Sequence, residues 1–364
     1  MTKSTTNHNR YFEDFKLGET ILHATPRTVT EGDASLYIAL TGSRHIIHCA
    51  QPVAHSLGYE NRTIDDLLAF HIAFGKTVAD ISVNAVANLG YAEITFDSPI
   101  YAGDTLTTSS TVIGVKENST KRNGIVYVRS TTLNQNHKQV LSWVRWVMIH
   151  KRDFDSPAPK TVVPDLSTFV TAQNLPVINQ LDFKDFDIAT TGSDKLWDDY
   201  IEGERINHPA GMTVDDSDHT LATKLYQNNA KLHFDSVLMQ STSFGRRLMY
   251  GGHVISICRA LSYDGLENAI SIAAINSGTH SNPSFGGDTF YCWTEVLEKW
   301  TLPKRNDIGA LRLRMVGIKN QTADSLDSSH IIKNNKRQYH PNIVLDLDYT
   351  VLIPRRAPKY KEQL

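Results

Sequence analysis

Cysteine is scarce in this sequence: Cys49, Cys258 and Cys292 are the only three in 364 residues. An odd and widely spaced set supports neither a disulfide framework nor a cysteine zinc site. Charge of one sign is not in excess either. With 37 Lys and Arg against 39 Asp and Glu the formal net charge is −2, which gives none of the basic surface that a nucleic-acid partner usually requires. No run of about 18 apolar residues occurs, so no membrane-spanning helix is expected. The first ten residues, Met1 to Arg10, hold no apolar core of a signal peptide, and the expected compartment is the cytoplasm. Metal-ligand spacings and the glycine fingerprint of a dinucleotide site are missing as well, so neither a metal nor a nicotinamide cofactor is expected. What is there is a globular composition, 40% hydrophobic and 21% charged, in a chain long enough for two ordinary domains.

The chain repeats itself. Phe12-Glu13-Asp14-Phe15-Lys16-Leu17-Gly18-Glu19 aligns with Trp197-Asp198-Asp199-Tyr200-Ile201-Glu202-Gly203-Glu204 at an offset of 185 residues. The same offset pairs Thr28 with Thr213, Asp33 with Asp218 and His48 with His233. Gly103-Asp104-Thr105 returns as Gly287-Asp288-Thr289 at an offset of 184. A collinear set of this kind indicates duplication of one unit. The boundaries read as a first unit over 1–153, a linker over 154–192 and a second unit over 193–364. Pro157, Pro159, Pro164 and Pro176 lie in or beside scattered polar residues and predict a linker draped over the surface.

Within each unit helix comes before strands. Ile64 to Ala79 and Leu248 to Leu261 carry apolar residues at helical spacing, and Ile125 to Leu133 and Val140 to Ile149 read as turn-linked strands. From Ile343 to Ile353 the residues alternate with a period of two, which predicts one packed and one largely polar face. Lys319 to Gln338 is polar and predicts a loop. The pattern indicates an α+β unit with an antiparallel sheet.

One constellation carries chemistry. His233 is followed by Gly251-Gly252, the pair that opens the second helical run. A histidine moves protons near neutral pH, and free backbone N–H groups at a helix start hold a developing oxyanion. That combination suits reaction at a thioester. The glycine pair is also what tight helix packing would select, and Asn228 reads equally as a water-orienting amide or as a helix N-cap.

Two such units, with Gln227 to His233 and Tyr250-Gly251-Gly252 in these places, resemble the MaoC-like hydratase/dehydratase family. The resemblance runs over nearly the whole chain and includes Tyr11 to Phe15, Thr28 to Asp33, Ile64 to Leu68, Ala87 to Glu93 and Phe244 to Arg247. It implies a double hotdog, two long helices each wrapped by an antiparallel sheet, and acid/base addition of water to a CoA thioester. Coenzyme A then belongs to the substrate, and no separate cofactor is expected. The shared segments point to a branch of the family whose acyl group carries a second carboxylate.

By that resemblance His233, Asn228, Gly251 and Gly252 are the candidate catalytic groups. Arg246, Arg247, Lys231 and Tyr250 are the candidate substrate-binding groups, with Arg44, His280 and Asn282 as weaker ones. The family's catalytic Asp is replaced by Asn228 in the second unit and Ser43 in the first, so only the histidine half of its acid/base pair carries over. Asp235 is a candidate for fixing the His233 tautomer. The first unit keeps His48, and its counterpart to the glycine pair is read as His71-Ile72, which predicts one working site per chain. Two units can pair within one chain, so monomer and homodimer both stay open. A hotdog thioesterase and an acyl-CoA-binding protein without turnover are the rival readings.

Overall fold

The computed structural model describes residues 3–4, 9–326, 328–333 and 335–356. The first unit runs β1 (Lys3–Ser4), β2 (Thr20–Leu22), β3 (Arg27–Thr28), α1 (Glu31–Thr41), α2 (Ile46–Cys49), α3 (Gln51–Ser56) and α4 (Asp66–Thr77). It ends with β4 (Ala85–Phe96), β5 (Thr105–Glu117), β6 (Asn123–Leu133) and β7 (Gln139–His150). The second runs β8 (Arg205–Thr213), α5 (Asp216–Leu225), α6 (Ser236–Gln240), α7 (Gly251–Leu261) and β9 (Ser271–Thr279). It closes with β10 (Thr289–Thr301), β11 (Ile308–Lys319), β12 (His330–Lys333), β13 (Lys336–Tyr339) and β14 (Ile343–Pro354).

α4 and α7 are buried on every side from Leu67 to Gly75 and from Gly252 to Leu261, the mark of a central helix and not of a surface one. A 12-stranded sheet in the order β1-β2-β5-β6-β7-β4-β9-β14-β11-β10-β8, with β3 on β5, curls around both. The units join edge to edge where β4 meets β9, Ala92 opposite Ser277 and Ile94 opposite Ile275. This is the double hotdog that the resemblance implies.

The repeat reaches individual side chains. Arg62 pairs with Glu31 as Arg247 does with Asp216. Thr28 bonds Thr105 as Thr213 bonds Thr289. Asp104 accepts the Tyr101 N–H as Asp288 accepts the Phe285 N–H.

Four expectations change. The one helical run expected in each unit is preceded by a further helix, α1 and α5; the Thr30–Asp33 capping box starts α1, and Gly42 in the left-handed region stops it. β14 has no solvated polar face, because Val344, Thr350 and Leu352 are buried and Asp346 and Asp348 are bound by Arg314 and Arg312. Lys319 to Gln338 includes the β12–β13 hairpin. The linker is a strap and not a drape: Val170, Leu175, Leu181 and Phe183 are buried in one apolar cluster with Ile47, Tyr59 and Ile308. Among the described residues no helix is long and apolar enough to cross a membrane.

Candidate active site

α7 starts at Gly251 because Tyr250 is extended (φ −67°, ψ 122°) and its side chain makes no cap. The N–H groups of Gly251 and Gly252 therefore find no acceptor among the described residues. Glycine is required at both places. A Cβ on Gly251 would lie 2.6 Å from the His280 ring, and one on Gly252 2.4 Å from the Tyr250 ring. Tight packing and free donors are thus two results of the same residues.

Gly251 opens onto a cavity of about 400 Å³ shared by both units. The second unit supplies Asn228, His233, Tyr250 and His280 to its wall, and the first supplies Phe74, Tyr91 and Arg145. Exposed Val86 and Phe244 mark its open end.

His233 closes a single 3-10 turn, Lys231–His233, and is 6% exposed. Its Nδ1 lies 2.9 Å from the Leu248 carbonyl oxygen. A carbonyl only accepts, so Nδ1 carries the hydrogen and Nε2 keeps the lone pair. Burial lowers the His233 pKa to about 4, against the Leu248 bond, which acts in the opposite direction. The imidazole is neutral at pH 7 and sits edge-on to Tyr250 at 5.6 Å. His280 is a second neutral imidazole, its pKa lowered to about 4 by burial, with Nε2 3.4 Å from the Tyr91 hydroxyl.

Asn228 is buried on the cavity wall, and its Oδ1 accepts the Ala230 N–H at 3.0 Å. That is an Asx turn and replaces the helix N-cap alternative. The loop that carries Asn228 crosses α4 at Gly75, where any Cβ would lie 2.1 Å from the Tyr226 carbonyl oxygen. A glycine of the first unit thus seats a loop of the second.

Other candidates sit elsewhere. Asp235 Oδ1 accepts the Leu238 N–H at 2.9 Å and caps α6, so Leu248 and not Asp235 fixes the His233 tautomer. Arg246 donates to the Gly286 carbonyl and stacks on Phe285, while Arg247 faces Asp216 at 3.5 Å and Thr220 at 3.0 Å. Lys231 is exposed, and Arg44 pairs with Asp264. None of these four cations lines the cavity. Asn282 does line it, but its amide donates to the His340 and Ile343 carbonyls.

Sequence reasoning missed Arg145. Its guanidinium is fully buried on the cavity wall. It donates to Thr77 Oγ1 at 2.8 Å, stands 4.3 Å from the Phe74 ring centroid, and leaves Nε without a partner. A signal existed: Leu141, Arg145, Val147 and Ile149 share one face of β7 with Trp143, and an arginine does not belong on an apolar face without a reason.

The first unit holds the same parts in a closed form. The counterparts of Gly251 and Gly252 are Asp66 and Leu67, since α4 begins at Asp66; His71 lies one turn further on and meets Ser256 of α7 at 2.9 Å. Asp65 caps the helix by accepting the Leu67 N–H at 2.9 Å. The Asp66 carboxylate accepts the Ile272 N–H at 2.8 Å and lies 3.8 Å from His48. Burial raises the Asp66 carboxyl to about 6. Pro176, Ile178 and Leu181 of the strap line what is left, a space of about 40 Å³.

The profile of the family described as mesaconyl-CoA hydratase matches residues 2–330. The β-methylmalyl-CoA dehydratase of Chloroflexus aurantiacus is 52% identical over 97% of this chain and 99% of its own. The mesaconyl-CoA hydratase of Cereibacter sphaeroides is 49% identical over 96% of this chain and 99% of its own. Among solved structures, a putative MaoC domain protein dehydratase from Chloroflexus aurantiacus superposes with a TM-score of 0.92 at 51% identity, covering 98% of this chain and all (100%) of that one. A Mycobacterium tuberculosis protein with a double hotdog fold follows at a TM-score of 0.74 and 22% identity over 95% of this chain and 98% of that one, a likeness of fold alone.

Proposed function

The chain belongs to the mesaconyl-CoA hydratase family, and from that premise we propose that it adds water to mesaconyl-CoA to form β-methylmalyl-CoA and catalyses the reverse dehydration. The observation that carries the mechanism is that His233, whose Nε2 is left with the lone pair, and Gly251, whose N–H at the start of α7 is uncapped, line one cavity, whereas Gly252 is buried behind it.

In hydration, water attacks the β-carbon of the conjugated thioester and gives a proton to His233 Nε2. The π electrons of the double bond move toward the thioester oxygen, which gains enolate charge. The Gly251 N–H binds that oxygen, and the positive end of the helix dipole adds to its effect. The enolate then takes a proton at the α-carbon from the His233 imidazolium, which restores the neutral ring. One water is consumed and no proton is left over. A pKa lowered to about 4 suits the second step, because an imidazolium formed in a buried site is a strong acid. The Asn228 amide NH₂, with Oδ1 already engaged, is free to orient the water.

The scheme uses only the chain's own side chains and backbone and the substrate with its coenzyme A. Both units of one chain supply walls of the cavity. The three cysteines are free thiols, which supports a reducing compartment such as the cytoplasm.

The test is to mix purified protein with mesaconyl-CoA and follow loss of the conjugated thioester's ultraviolet absorbance alongside free thiol. Absorbance loss without thiol release is the expected result. Thiol release would make the protein a thioesterase, and saturable binding with neither change would make it an acyl-CoA-binding protein.

A further inference from the structure

We propose that Arg145 is the residue that selects for an acyl group ending in a carboxylate, by pairing with that carboxylate inside the cavity. The inference rests on the hydratase reading above and deepens it, since Arg246 and Arg247, the cations nearest the site in sequence, do not line the cavity.

The first argument is the state of the guanidinium. Arg145 is 0% exposed, and a buried cation normally has a carboxylate partner. Among the described residues it forms no ion pair; its protein acceptors are the hydroxyls of Thr77 at 2.8 Å and Ser82 at 3.5 Å. Asp80, the buried carboxylate of the neighbouring turn, is bound by His23 at 2.8 Å. Burial without a counter-ion lowers the Arg145 pKa to about 10, which still leaves it charged at neutral pH. A charge kept in this condition is strongly stabilised by an incoming anion.

Position is the second argument. Arg145 is on the cavity wall with Phe74, Tyr91 and Tyr250, and Tyr250 in turn stands 5.6 Å from the His233 ring. Arg145 is buried where Val86 and Phe244 at the opening are exposed. A coenzyme A moiety that occupies the opening therefore directs the acyl group inward, past His233 and Gly251. The planar fork of Arg145 offers a bidentate match to a carboxylate, which a lysine does not.

The third argument separates this role from a purely structural one. In the sheet Arg145 lies opposite Val128. Gly124 packs on Phe12 as Gly309 packs on Trp197, which sets the offset between β6 and β11 at 185; Val128 therefore repeats as Leu313, and the residue opposite Leu313 is Tyr349. The same place in the second unit thus holds a neutral tyrosine, so the fold itself does not call for a guanidinium there. The cation occurs only in the copy whose strand walls the open cavity.

Two measurements test the proposal. The first is the kcat/KM ratio for mesaconyl-CoA over crotonyl-CoA, an enoyl thioester without the carboxylate, in the wild type and in Arg145→Gln and Arg145→Lys. The expected result is a ratio that falls by about 10² in Arg145→Gln, with partial recovery in Arg145→Lys. An unchanged ratio, with both substrates losing equally, would overturn the proposal and leave Arg145 a tether of α4 to the sheet. The second uses the wild type alone and stands even where a variant does not fold or no turnover is seen. Succinyl-CoA, saturated and ending in a carboxylate, is expected to bind at least about tenfold more tightly than butyryl-CoA, and equal affinities would overturn the proposal. Wild-type hydration of crotonyl-CoA combined with indifference to the carboxylate would refute the role of Arg145 while leaving the hydratase reading intact.

Discussion

The two halves of this molecule carry one site design in two states. In the first, Asp65 caps its helix, and Asp66 at the helix start carries a carboxylate that accepts the Ile272 N–H and lies 3.8 Å from His48. In the second, Tyr250 and Gly251 hold those places, so the helix start is uncapped and its first residue brings no side chain of its own. His48 and His233 occupy matching positions, 5% and 6% exposed, each with Nδ1 held, by Thr63 and by Leu248. What distinguishes the two sites is thus not the histidine. It is whether the helix N-terminus is satisfied by its own chain. A cap stabilises a helix by about 1 kcal/mol, and omitting it leaves the donors free for a substrate. The strap completes the contrast, leaving about 40 Å³ on one side against about 400 Å³ on the other.

Writing the first site into the second is the most damaging change. Gly251→Asp is expected to lower kcat/KM for hydration by about 10³ or more, since it adds a carboxylate beside the enolate oxygen and crowds His280. Steady-state kinetics on a variant shown to be folded by circular dichroism checks this. Next is Gly75→Ala, a change in the first unit that touches only the backbone under the Asn228 loop. Displacement of that loop is expected to lower kcat by roughly 10² with a smaller change in KM. A normal kcat would mean that the loop does not depend on α4.

Acid stability sharpens the comparison further. Burial lowers the pKa of His208, His233 and His280 to about 4 and that of His253 to about 3. The unfolded chain therefore takes up protons that the folded one refuses. Stability from these groups is full above pH 6.5 and falls as pH drops from there through about 4. His233→Gln is expected to reduce that slope by about one proton, about 1.4 kcal/mol per pH unit, in denaturant titrations between pH 6 and 5.

The smallest effect belongs to the closed site. The Asp66 carboxyl, raised to about 6, favours the folded state most below its unfolded value and loses that contribution as pH rises through 6. Asp66→Asn should raise Tm at pH 8, leave it unchanged at pH 4 and leave kcat nearly as it was. A lower Tm at pH 8 would indicate that the carboxylate stabilises the fold through its bonds to Ile272 and His48.

Much of this was legible in the residues. The 185-residue offset disclosed the duplication, helical spacing located α4 and α7, and a histidine before a glycine pair pointed to the candidate site. Periodicity failed where context decides. β14 alternates like a half-solvated strand, yet its second face is buried because Arg312 and Arg314 neutralise its two aspartates. The register of the glycine pair went to His71-Ile72 because the eye follows the apolar run, whereas the helix begins five residues earlier with an acidic pair that reads as an ordinary N-terminus. Arg145 was overlooked for a different reason. Which face of β7 looks inward is a property of the sheet's curl and not of the strand. Arg246 and Arg247 are adjacent in sequence to the glycines, but the turn before α7 carries their side chains to Gly286 and Asp216.

The measurement that bears most directly on the account is hydration of mesaconyl-CoA, followed by ultraviolet absorbance, in His233→Ala and His48→Ala beside the wild type. Loss of about 10²–10⁴ in kcat in the first, with near wild-type turnover in the second, is the predicted result. Loss in His48→Ala with activity retained in His233→Ala would place the chemistry in the capped, carboxylate-filled unit and contradict the account.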